Sequence, residues 1–353
     1  MTSSDQLYFR VEGIKGILRD WNIPLDLYEP LKRYYNSTVN HLEILLNLFP
    51  DKPWDWGALS KSHNITWKAI QKNLSKPWNW NFLSENPNIT WEIVREYPDL
   101  PWDWMSLSMN PNITWDIIQT NIGKPWYLYY FSCNPNVTYE IVQSNPQVHW
   151  NWGSITKSPN ITWEIVLRHP KELWSWSILS RKATWDIIQQ NMGKSWDWDI
   201  ISKNPNITWD IIQSNPRLPW NWHCICLNPN ITWEIIKGHP DKPWDWDHIS
   251  CNPNITWEII HENMNEPWNW NFLSEHLNIT WDIVINNLNI PWCWYHISFK
   301  RDVTWEIVLE HPEIPWNWKG LSINPNITWE IVYDNQDKPW DWCYMSYNKF
   351  SKN

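Results

Sequence analysis

Residues 240–246 read Pro-Asp-Lys-Pro-Trp-Asp-Trp, and residues 252–260 read Asn-Pro-Asn-Ile-Thr-Trp-Glu-Ile-Ile. Both segments recur along the chain. Thr-Trp dipeptides place Trp67, Trp91, Trp115, Trp163, Trp185, Trp209, Trp233, Trp257, Trp281, Trp305 and Trp329 in one series, with Tyr139 in the same phase. Each step is 24 residues except that from Trp163 to Trp185, where Arg181-Lys182-Ala183-Thr184 stands for a stretch two residues longer. A second series of Trp-x-Trp pairs keeps the same period from Trp54 to Trp340, with a half-pair at Trp126, so that of 37 tryptophans only Trp21 falls outside the two series. A chain of this length would otherwise suggest two or three globular domains, but a fixed internal period overrides that prior and points to stacked repeats.

Each unit carries the same helix-start pattern twice. In the first half Thr90 precedes Trp91 and offers an N-cap, Glu92 lies in the first turn, and Ile89 and Val94 occupy the two positions of a hydrophobic staple. In the second half Asp103 is the cap and Trp102 and Leu107 form the staple. Both helices must be short: Pro98 and Pro101 bound the first, and Asn110-Pro111 ends the second, because the residue before a proline is pushed out of the helical region. About two turns is the limit for each, with a 3₁₀ geometry open to the second. Helices this short are not stable alone, since about 12 to 15 residues are needed for marginal stability in water, so they must stack. The fold class expected is all-α, an α-solenoid of 24-residue repeats, each of two short helices, similar in period to the leucine-rich variant repeats. At about 8 to 10 Å between packed helices, about a dozen units would make a rod or superhelix of roughly 100 to 120 Å. A β-solenoid is the rival, since Ile-Thr-Trp-Glu-Ile-Val can alternate as a strand; the doubled staple and the scarcity of glycine, eight in the chain, argue against it.

The organisation expected is an N-terminal cap with a degenerate first repeat over residues 1–50, repeats over 51–346 and a polar tail over 347–353. The cap would carry Leu18, Trp21, Ile23, Leu25, Leu27 and Tyr28, followed by His41 to Leu46 in the phase of a first helix. Little at the C-terminus looks like a cap, leaving that end to fray or to dock on a partner.

The formal net charge of -10 comes without any block of lysines or arginines, which disfavours nucleic acid. No stretch has the length of a signal peptide's apolar region or of a membrane span, so a soluble, unsecreted protein is expected. The six cysteines lack zinc-site spacing and read as free thiols, Cys226 standing in a column that is otherwise Ser or Thr. The acidic column of Glu92, Asp116 and Glu140 suits the positive end of a helix dipole better than catalysis. His169, His239 and His311 fall at helix ends, where they cap. Asn88-Ile89-Thr90 and its copies match the glycosylation sequon, but read as turn chemistry. No nucleophile–base set and no phosphate loop can be assembled, so no enzyme, cofactor or metal site is expected. An enzyme would need a cleft at an irregularity such as Lys182 to Thr184.

The segments at 240–246 and 252–260 resemble the tryptophan-rich tandem repeats encoded in many copies by giant DNA viruses of amoebae, the mimivirus-like group, and the resemblance extends over about residues 51–346. It implies a viral protein made in an infected cell and no catalytic residue. The function expected is a non-enzymatic scaffold for protein–protein interaction, a host-interaction adaptor or a virion component, in the host cytoplasm. Consensus positions are consumed by folding, so specificity would lie in variable positions such as Arg95, Glu96, Gln119, Thr120, Lys237 and Gly238. The alternative is a glycan-binding protein using an exposed ladder of tryptophans, although at least two of the three per unit are needed to fill the core.

Overall fold

The structure is a computed structural model and describes residues 40–350. Residues 1–39, and with them the expected cap residues Leu18, Trp21, Ile23, Leu25, Leu27 and Tyr28, lie outside the described residues. The described chain is an all-α solenoid of 26 short helices, α1 (His41–Leu48) through α26 (Trp342–Met345), and no strand occurs among the described residues. The helices of the repeats run four to six residues, as the proline spacing requires. The second helices are α-helical, closing on bonds such as Leu59 N–H to Asp55 O at 2.9 Å and Ile225 N–H to Asn221 O at 2.8 Å, which settles the 3₁₀ alternative.

The doubled start pattern is present. Ile89, Val94, Trp102 and Leu107 are all buried, and Asp103 Oδ2 accepts the Ser106 N–H at 2.8 Å. Most threonine caps act as expected, Thr114 Oγ1 accepting the Ile117 N–H at 3.3 Å. Thr90 departs from this: its backbone has the cap conformation, but its hydroxyl makes no cap bond and serves the Glu92 carboxylate.

Two compact units make up the described residues: unit 1, the pairing of residues 40–88 with 298–350, and unit 2, residues 89–297. Within the 89–297 unit, three hydrogen-bonding columns join each repeat to the one before. Ser202 Oγ accepts the N–H of Asn221 at 2.9 Å, and Ser250 Oγ that of Asn269 at 2.9 Å while donating to Trp246 O at 2.7 Å. The first asparagine of each Asn-Pro-Asn reaches back further: Asn228 Nδ2 donates to Ser202 O, Asn204 O and Ile207 O at 3.0 to 3.1 Å, while its Oδ1 takes the Asn230 N–H at 2.9 Å. The second asparagine does the same, Asn230 Nδ2 bonding Pro205 O at 2.7 Å and Ile207 O at 2.9 Å. The sequon asparagines are thus inter-repeat clamps, and the reading of them as turn chemistry was too local.

Aromatic packing fills the space between these columns. Trp244 donates its indole N–H to His239 O at 2.8 Å, receives the edge of Trp222 at 5.4 Å and 83°, and lies 5.9 Å from Trp209. The same triplet recurs as Trp233, Trp246 and Trp268. Such pairs contribute about 0.5 to 1.5 kcal/mol each beyond their area burial. The two-residue deletion removes both asparagines of its repeat but keeps the serine column: Ala183 fills the isoleucine site, Asp197 N–H still reaches Ser180 Oγ at 2.9 Å, and Lys182 Nζ donates back to Ser158 O at 3.4 Å.

Unit 1 corrects the expectation of two separate ends. Its last repeat, α25 (Trp329–Asp334) and α26, is followed in space by its first, α1 and α2 (Trp56–Lys61). The contacts are those between consecutive repeats: Ser346 Oγ accepts the Asp55 N–H at 3.0 Å, Asn64 Nδ2 donates to Lys349 O at 2.9 Å, and Trp54 meets Trp342 edge-on at 5.1 Å. Asn79 with Ser60 and Trp78 with Trp56 match them within the chain, at 3.0 and 4.9 Å. The C-terminal stretch is not a loose polar tail. Asn348 is buried and donates to Ser322 O and Asn324 O at 2.9 Å, and Phe350 is buried against His41 with rings 5.8 Å apart.

Candidate functional site

Because the three columns consume the consensus, side chains left to solvent fall on the last turn of the first helices. Arg95 and Glu96 end the helix Trp91–Glu96, Gln119 and Thr120 end Trp115–Thr120, and Lys237 and Gly238 end Trp233–Gly238; all six are exposed. These expected partner-binding positions share one phase of the repeats in the 89–297 unit, where glutamine recurs at Gln119, Gln143, Gln189 and Gln213 while Arg95 and Lys237 bring charge. Elsewhere in the phase stand Leu167, exposed, and the Arg168–Glu164 ion pair.

The tryptophan columns are buried or half-buried by packing between repeats. Every tryptophan except Trp21 lies among the described residues, and none is exposed. Trp268 and Trp292 are buried to 6% and 5%, and the second tryptophan of each pair shows only part of its ring. The acidic column behaves as helix-start chemistry: in Glu92, Glu140 and Glu234 the residue's own backbone N–H, then the threonine hydroxyl two residues before, hold the carboxyl below its ordinary value. Of the histidines at helix ends, His239 caps, its Nδ1 lying 2.9 Å from Ile235 O where asparagine stands in other repeats, while His311 Nδ1 faces Glu313 Oε1 at 3.2 Å.

One interface departs from the pattern. Between the second helices Trp222–Cys226 and Trp246–Ile249, an open cleft of about 630 Å³ is lined by Trp220, Trp222, His223, Trp244 and Asp245 among others. In the flanking interfaces the cap residue is asparagine and its amide bonds back to an aspartate 22 residues earlier, Asn221 to Asp199 and Asn269 to Asp247, both at 2.7 Å. In this interface the cap is Asp245 and the residue 22 before it is His223, whose Nδ1 pairs with Asp245 Oδ2. His248, three residues past the cap, brings its own Nδ1 to 3.2 Å from the same oxygen. Asp245 Oδ1 meanwhile accepts the His248 N–H at 3.1 Å. Burial raises the Asp245 carboxyl, and that N–H together with the two imidazoles outweighs it, leaving the group at about 2. Sequence reasoning missed this cluster. The signal was present, since His223 and His248 are 25 residues apart, one repeat plus one, and so fall on successive second helices.

The cysteines stay as free thiols. Cys226 is fully buried and its Sγ takes the Asp245 N–H at 3.3 Å, the task of serine in the other repeats, and burial pushes its thiol up to about 11. No helix among the described residues is long and apolar enough to cross a membrane. Comparison with family models, with curated proteins and with solved structures returned no match.

Proposed function

We propose that this chain is a non-enzymatic repeat scaffold that binds another protein, as a host-interaction adaptor or a structural component of a viral assembly in the host cytoplasm. The observation that carries the reading is the division of labour within each repeat. Asn, Ser, Trp and Ile columns are spent on inter-repeat contacts, while Arg95, Glu96, Gln119 and Lys237 stand exposed at the ends of first helices, where basic, acidic and amide side chains occur in different repeats. Stacked repeats that present varied side chains at a regular pitch offer an extended polypeptide-binding surface. Nucleic acid is disfavoured by the net charge of -10.

The test is affinity capture of the tagged full chain from infected amoebal lysate, with partners identified by mass spectrometry. The control is a variant carrying Arg95→Ala, Glu96→Ala, Gln119→Ala and Lys237→Ala. A protein captured by the wild type and lost by the variant supports the reading. Equal capture by both, or retention on a glycan array without a protein partner, overturns it.

A further inference from the structure

We propose that His223, Asp245 and His248 form a binding site for a divalent transition-metal ion, with zinc as the ion whose chemistry the donors suit. The three donor atoms, one from each residue, lie within 4.8 Å of one another. Two imidazoles and one carboxylate suit zinc, copper, nickel or iron rather than calcium or magnesium, which take oxygen donors. This inference rests on the geometry of one interface and is independent of the proposed scaffold role.

Two features separate the cluster from an ordinary surface ion pair. In the flanking interfaces the equivalent contact is complete with two groups, an amide donating to a carboxylate. Here a third group is added, and both imidazoles direct Nδ1 at the single oxygen Asp245 Oδ2. The Nδ1 of His248 is shielded from solvent and has Asp245 Oδ2, at 3.2 Å, as its polar contact. A cation among the three donors would take the lone pair of that shielded nitrogen and share the carboxylate the two imidazoles already face. The second feature is preorganisation. Asp245 is anchored through Oδ1 as a helix cap, so Oδ2, already turned to the two imidazoles, can ligate without any change of backbone. His223 and Asp245 also border the cleft, which gives room for water or a small anion to complete a tetrahedral shell.

Titration of the full chain with Zn²⁺ by calorimetry, and with Co²⁺ by visible absorption, tests the assignment. The wild type is expected to bind one ion per chain. His223→Ala, whose side chain is 67% exposed, and His248→Ala are expected to weaken binding by at least about tenfold. Asp245→Asn keeps the cap acceptor that Asn221 and Asn269 supply in neighbouring repeats, so it removes the ligand charge while preserving the fold, and it too should lose at least about tenfold. Cys224→Ser should bind as the wild type does. No stoichiometric binding by the wild type, binding unchanged in both histidine variants, or loss confined to Cys224→Ser overturns the proposal.

Discussion

Replacing Asn228 by Asp tests what the asparagine column does, because the new side chain has the same shape but sets an ionisable acceptor oxygen where the amide N–H donors stood. Asn228 is fully buried. Its two amide hydrogens, shared among Ser202 O, Asn204 O and Ile207 O, are lost, while the bond its Oδ1 accepts from Asn230 N–H is kept. Two of the three carbonyls retain other donors: Ile207 N–H on Asn204 O and Asn230 Nδ2 on Ile207 O, both at 2.9 Å. For those the loss is about 1 kcal/mol each, and for Ser202 O, which loses its side-chain donor in a dry site, about 1 to 3. The expected destabilisation is therefore about 3 to 5 kcal/mol. Burial raises the pKa of the introduced carboxyl above its unfolded value, and its protonated form can donate one bond. Stability regained below the unfolded pKa is lost as pH rises through the folded one, so the penalty is smaller near pH 4 than near pH 8. The matched control is Asn151→Asp, at a helix cap where only an acceptor is needed for the Ser154 N–H at 3.1 Å, and it should lie within about 1 kcal/mol of wild type on the stabilising side. Urea denaturation followed by tryptophan fluorescence measures both. A loss below about 1 kcal/mol at Asn228, or equal losses at the two sites, would refute the argument that the column is chosen for its amide donor.

Trp268→Ala removes an indole that bonds Asn263 O and packs on Trp233 and Trp246; a loss of about 3 to 5 kcal/mol in denaturant unfolding is expected. Cys226 should resist alkylation at pH 8 in the folded chain while exposed Cys133 reacts, as mapped by mass spectrometry of the modified peptides. Because folding raises the Cys226 thiol from 9.0 to about 11, its contribution to stability is complete below pH 9 and falls as pH rises towards 11. Cys226→Ser should flatten that decline in pH-dependent melting. Removing residues 342–353 strips α26 and the Asn348 and Phe350 contacts from unit 1 and uncovers Trp54; size-exclusion chromatography should show self-association of the shortened chain.

The period, the short helices and the staples were legible because they depend on local chemistry: a cap followed by an apolar residue at the right offset, and a proline that stops the turn. The Asn columns were legible only in part. Cap positions interchange Asp55, Asn79 and Asp103, whereas Asn204, Asn228 and Asn252 never become Asp, and that refusal marks a need for a donor. What the donor reaches, carbonyls 21 to 26 residues back, depends on how repeats stack, which no window of sequence contains. The pairing of the ends was hidden for the same reason, since Ser346 and Asp55 are 291 residues apart. His223 and His248 looked like scattered histidines until the repeat was laid out in space.

The bond from Asp55 N–H to Ser346 Oγ also bears on assembly. A heterologous surface at each end of a repeat array would let copies add head to tail without limit. Here the two complementary surfaces belong to one polypeptide and meet each other first. Contact within one polypeptide does not depend on protein concentration, so a second molecule must compete with it for the same seat. Growth into filaments is therefore held back by intramolecular competition rather than by a poor fit between copies, and any change that keeps the two surfaces apart would convert the same contacts into a polymerising joint.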